Sequence, residues 1–196
     1  MDALRFGAVD VLGKPSSTSI GDIDKQLVFK IKAAAQSKIY KQVQEKAAFS
    51  GVGSNQVDLK KVILIGASTG GPESLSSVIH ALPERMPPIC VVQHIPAVFS
   101  AAFAQRLDSS CRLKVKEAKD GDLLEESTVY IAPGDYHMML KSANPGYKLE
   151  LSQGPKICYQ RPAVDVLFKS AARILGKNAV AGIMTGNVIG RVNLIR

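Results

Sequence analysis

Apolar positions follow two different rhythms along the chain. In the opening segment Ile23, Leu27, Ile31, Ile39 and Val43 recur at multiples of four, one stripe of a long amphipathic helix reaching about Lys46. Ser19 can cap that helix, with Asp22 three residues on for a capping-box contact. From Lys60 onward the rhythm changes to short apolar runs alternating with helical spacing. Lys61 to Ile65, Ile89 to Val92, Thr128 to Ala132 and Ala179 to Met184 read as buried strands, and Leu113 to Lys116 alternates like an edge strand. Glu73 to Leu82, Phe99 to Leu107 and Val164 to Leu175 read as helices. Tyr136 to Leu140 and Tyr147 to Leu151 read as a hairpin turning through Asn144-Pro145-Gly146. The alternation predicts an α/β fold, a mostly parallel, doubly wound sheet with flanking helices.

One strand ends in a turn with chemical content. Gly66-Ala67-Ser68-Thr69-Gly70 has the G-x-S-x-G form, whose small residues permit a sharp strand-to-helix turn and lift a serine hydroxyl from the sheet. Pro72 and Glu73 then suit the first turn of a helix. Ser68 is thereby expected at the carboxyl edge of the sheet, where open α/β folds place their ligands. The same glycine-rich turn could instead bind an anion at the helix start, or serve only as a turn. It has no lysine and so does not match a P-loop. A serine nucleophile needs a base within about 2.6 to 3.2 Å. His94 follows the Ile89 to Val92 strand and is predicted on the same edge; His137, beside Pro133-Gly134-Asp135, is a second candidate. His80 is expected to face solvent from the helix after Ser68.

Composition narrows the setting. The 196 residues, 46% hydrophobic, suffice for one well-buried domain and a remnant of another. Phe49 to Gln56, with Ser50-Gly51-Val52-Gly53-Ser54-Asn55, is flexible by composition, giving an opening segment 1–48, a linker 49–59 and a main domain 60–196. No apolar run approaches the roughly 20 residues of a membrane span, and the first residues lack a signal-peptide pattern, so the expectation is a cytoplasmic protein without membrane insertion. Cys90, Cys111 and Cys158 lack metal or disulfide spacing and are expected to be buried free thiols. The net charge of +8 is concentrated in lysines between Lys25 and Lys61, with no aromatic interleaving, which favours a solvated face over nucleic-acid binding.

Two resemblances add to these readings. Ala3 to Pro15, with Ala8-Val9-Asp10-Val11-Leu12 followed by Gly13-Lys14-Pro15, resembles the final helix, strand and turn of a bacterial response-regulator receiver domain. Lys14 matches the lysine that contacts the phosphoryl group in that family. One helix and one strand cannot bury a core, so this remnant is not expected to work as a receiver. Val62 to Pro72, Val91 to Pro96, Val129 to Gly134 and Arg161 to Phe168 together resemble the catalytic domain of bacterial chemotaxis protein-glutamate methylesterases. The resemblance implies Ser68 as nucleophile, His94 as general base and the Thr69 amide as an oxyanion donor. It implies hydrolysis of glutamate methyl esters on receptor cytoplasmic helices, with deamidation of receptor glutamines. It implies no metal and no organic cofactor. Its implied partners are those receptor helices and, for the intact protein, the chemotaxis histidine kinase. Arg161 and Asp165 match the family's R-P-x-V-D stretch, either lining the cleft or forming a structural ion pair.

The match breaks after Thr185-Gly186. The family continues with a methionine, small residues and the triad aspartate in a G-x-D-G-like turn. Here Asn187 to Arg196 contains no acid, and the aspartate's place falls near Gly190. No acid follows Asp165, and nothing in the spacing favours Asp135 or Asp165 as a substitute. The stretch looks like a frameshift, an assembly artefact or a gene fragment. Loss of the residue that orients a catalytic histidine lowers turnover by about 10⁴ in serine proteases, so impaired activity is expected. The alternative is a non-catalytic fragment that keeps receptor binding.

Overall fold

The computed structural model describes residues 27, 28, 30–32, 34, 35 and 57–185. Leu27 and Ile31, two members of the predicted stripe, are helical and exposed. The receiver-like segment with Lys14, the flexible stretch 49–56 and the divergent stretch around Gly190 lie outside the described residues.

The strands that the sequence marks as apolar form one parallel ladder. They are β1 (Val62–Ala67), β2 (Ile89–Gln93), β3 (Lys114–Glu117), β4 (Thr128–Ile131) and β7 (Ala179–Thr185), ordered β3-β4-β2-β1-β7. Alternate residues point to opposite faces, and each face has its own apolar layer. Ile65, Ala67, Ile89, Val91, Val129 and Ile131 cluster with Leu75, Ile79, Phe103 and Leu107. The latter come from α1 (Gly71–Ala81) and α2 (Ala97–Asp108). Leu64, Cys90, Val92, Tyr130 and Ala132 cluster instead with Val164, Leu167, Ala171 and Leu175 of α3 (Val164–Leu175). Burial on both faces explains why the central strands read as continuous apolar runs.

The hairpin forms as the sequence indicates, with β5 (His137–Ser142) antiparallel to β6 (Tyr147–Ser152) in a separate two-stranded sheet. Met138, Leu140 and Leu149 join the α3 layer, so the hairpin shields that face of the main sheet. Tyr130 is buried beneath it, its hydroxyl donating to the Leu123 carbonyl at 2.7 Å and accepting from the Glu125 amide at 3.0 Å.

Two expectations need correction. The last strand is not buried: β7 pairs only with β1 in the described sheet, and Val180 and Ile183 are 48% and 40% exposed. An apolar run reports β propensity, but which strands flank it among the described residues follows from strand order, which periodicity does not encode. The cysteines are also not uniformly buried; Cys90 is enclosed under α3, Cys111 is half-buried and Cys158 is exposed.

Candidate active site

The site begins with strand register. Ala67 at the end of β1 is the partner of Gln93 at the end of β2. Ser68 and His94 therefore leave the sheet side by side, and the His94 amide donates to the Ala67 carbonyl at 3.2 Å. Their side chains meet: His94 Nδ1 lies 3.1 Å from Ser68 Oγ. With Nδ1 unprotonated the hydroxyl donates to it, and the remaining ring proton sits on Nε2. Ser68 is only 6% exposed, so its hydroxyl is held in a mostly dry environment rather than projecting into solvent. The structure thus brings together the two residues that the sequence pairs.

The serine turn is fixed through its backbone. Gly71 N–H donates to the Ser68 carbonyl at 2.8 Å as α1 begins. The Gln93 amide reaches the same carbonyl, Nε2 donating to Ser68 O at 2.9 Å and to His94 O at 3.2 Å. Gly71 makes room for this side chain, since a Cβ there would lie 1.8 Å from Gln93 Oε1. Thr69, the oxyanion candidate, is half-buried in the turn between Ser68 and α1.

The histidine turn is buttressed by the loop after β4. The Gly134 amide donates to Ser100 Oγ at 3.1 Å, and that hydroxyl donates to the Ala97 carbonyl at 3.1 Å. Gly134 is required by the contact: a Cβ would stand 2.4 Å from both Cα and N of Ala97. The loop's next residue, Asp135, is held by Arg161, whose Nε and Nη2 donate to Asp135 Oδ1 at 3.0 and 2.8 Å. Arg161 Nη1 donates to the carbonyls of Gln153 and Gly154 at 2.7 and 2.8 Å. The guanidinium is thereby engaged in joining three loop segments. The ion pair is with Asp135 rather than Asp165, which instead lies 4.0 Å from Lys169 one turn along α3.

His137 does not fit the role of second base. It is 4% exposed, Nδ1 accepts from the Ala163 amide at 3.2 Å, and Nε2 donates to the Pro155 carbonyl at 2.9 Å. Both ring nitrogens are committed to backbone, which makes it a structural pin before α3. His80 is exposed on α1 as expected, its Nδ1 within 2.6 Å of the Ser76 carbonyl. Gln93 is the residue that sequence reading passed over. Its signal was a lone amide closing the apolar run Ile89-Cys90-Val91-Val92, where a buried polar group needs partners.

Among the described residues, no three His, Cys, Asp or Glu side chains converge as a metal site would require. No helix among them is long and apolar enough to cross a membrane.

A parallel α/β sheet carrying a serine–histidine pair on its carboxyl edge defines a class of serine hydrolase-like folds. Residues 63–188 match the CheB methylesterase family, and the chain belongs to it. It is 46% identical over 191 residues to protein-glutamate methylesterase/protein-glutamine glutaminase 2 of Syntrophus aciditrophicus, covering 95% of this chain and 56% of that protein. It is 41% identical over 199 residues to a protein of the same name from Oleidesulfovibrio alaskensis, covering 94% and 56%. The chain therefore spans about half the length of the curated relatives it matches. The Thermotoga maritima CheB methylesterase catalytic domain superposes with a TM-score of 0.63 at 46% identity, over 64% of this chain and 67% of that one. That likeness extends to the mostly parallel sheet with flanking helices, and the named relatives place the family among hydrolases.

Proposed function

We propose that this chain carries the reactive pair of a protein-glutamate methylesterase, with Ser68 as nucleophile and His94 as general base. The observation that carries the reading is the 3.1 Å approach of Ser68 Oγ to His94 Nδ1. Oγ attacks the γ-ester carbonyl of a methylated glutamate while its proton passes to Nδ1. The tetrahedral oxyanion is received by the Thr69 amide and a second donor. Collapse expels methoxide, which takes the proton from Nδ1 and leaves as methanol. Water, deprotonated at Nδ1, then cleaves the glutamyl-Ser68 ester and restores the free hydroxyl and a glutamate. A glutamine substrate would follow the same course with ammonia as leaving group, in keeping with the relatives' second name.

The substrates that suit this chemistry are methyl esters on the cytoplasmic helices of chemoreceptors, and in the intact protein a histidine kinase would act upstream. The reading is of a cytoplasmic enzyme. Activity is expected to be low, because the stretch around Gly190 holds no acid where the family places its triad aspartate. Arg161 and Asp135 serve the loop architecture, not the proton transfer. The competing reading is a receptor-binding protein in which Ser68 is only a turn residue.

A fluorophosphonate probe separates the two. Labelling of Ser68 that falls at least tenfold in a His94→Ala variant supports the hydrolase, whereas a Ser68 inert in the folded wild-type chain would sink it.

A further inference from the structure

Gln93 is 2% exposed, and its placement is more specific than packing requires. Its Nε2 spans the backbone carbonyls of both reactive residues, at 2.9 Å from Ser68 and 3.2 Å from His94. Its Oε1 is buried without a hydrogen-bond partner. A stranded amide oxygen is costly to bury, so an apolar residue would be the more stable choice if filling space were the only role. The neighbouring glycine points the same way, since Gly71 has no space for a Cβ while Gln93 adopts this position.

We propose that Gln93 is a positioning residue that locks the serine turn to the histidine turn, setting the Ser68 to His94 hydrogen bond. The strand ladder alone ends at Ala67 and Gln93 and leaves the two turns as separate pieces of irregular backbone. Between them the structure places the His94 amide on Ala67 and the forked Gln93 donor. The fork holds both carbonyls on one amide nitrogen, so the two turns cannot drift apart without breaking at least one of its bonds. Drift matters because a displacement of about 1 Å between reacting groups can cost on the order of 10²-fold in rate. Gln93 touches neither substrate nor the transferred proton. The inference rests on the Ser68–His94 reading, and its test is chosen to fail separately from it.

The test is the ¹⁵N resonance of the His94 ring, compared among the wild-type chain, Ser68→Ala, Gln93→Leu and Gln93→Met. In the wild type, the Nδ1 shift should carry the signature of an accepted hydrogen bond, and Ser68→Ala should abolish it. Gln93→Leu should abolish it as well, while amide resonances of the β5–β6 hairpin stay in place. The Gln93→Met chain keeps the length of the side chain and has no proton to donate, so it should behave like Gln93→Leu and covers the case in which the leucine variant does not fold. Fluorophosphonate labelling of Ser68 should fall about 10- to 100-fold in both. A Ser68-dependent shift that persists in a folded Gln93 variant overturns the positioning role and leaves the reactive pair standing. Absence of any Ser68-dependent shift in the wild type overturns both.

Discussion

Ala67 and Gln93 are register partners at the ends of adjacent parallel strands, and from that pairing the site follows. The residues after them, Ser68 and His94, leave the sheet at one level, and their side chains close to 3.1 Å. A slip of one residue in this register would send neighbouring side chains to opposite faces and separate the pair.

Two glycines test how rigidly these turns are held. Gly71→Ala puts a Cβ against the Gln93 amide and 2.9 Å from the Ala67 Cβ, so Gln93 must give up its two hydrogen bonds and the serine turn must shift as well. Gly134→Ala puts one against the backbone of Ala97, which cannot swing away. Denaturant titration is expected to show a loss of about 1 to 3 kcal/mol for Gly71→Ala and a larger loss for Gly134→Ala. Ser68 labelling should fall in Gly71→Ala to the same extent as in Gln93→Leu. Equal stability of both variants with the wild type would contradict the packing described.

These contacts also mark where sequence reading stops. The G-x-S-x-G turn and the strand before His94 were legible because strand ends and small-residue turns are local features. The role of His137 was not, because its partners Pro155 and Ala163 lie on a distant loop and at the start of α3. The Arg161 pairing with Asp135 likewise joins residues 26 apart in sequence, whereas the match to the family's R-P-x-V-D stretch pointed to the nearby Asp165. The exposure of β7 goes with its having β1 as its one strand partner among the described residues, a property of strand order and not of the strand's own residues.

His137 is expected to matter for stability and not for the reactive pair. His137→Phe strands the Ala163 amide, a cost of about 1 to 3 kcal/mol measurable by denaturant unfolding. Ser68 labelling in the folded variant should match the wild type. A labelling loss comparable with that of His94→Ala would restore His137 as a candidate base.

Alkaline pH should weaken the fold through two buried acids. Burial pushes the Cys90 thiol from 9.0 to about 12 and the Tyr130 phenol from 10.0 to about 12. Between those values the unfolded chain ionises while the folded chain does not, so the unfolded state binds fewer protons and gains on the folded one. Stability should therefore be fully present below about pH 9 and decline toward pH 12, as followed by unfolding midpoints across that range. A thiol reagent at pH 8 should modify exposed Cys158 first and Cys90 only on unfolding. Rapid modification of Cys90 in the folded chain would contradict its enclosure under α3.

The most direct test of the central claim is methanol release from methyl-esterified chemoreceptor helices, with the wild-type chain compared with its Ser68→Ala variant. Slow release that exceeds the variant's, and falls to the variant's level in His94→Ala, is the expected result. Release from the folded wild-type chain no greater than from Ser68→Ala would contradict the assignment of this serine–histidine pair to ester hydrolysis.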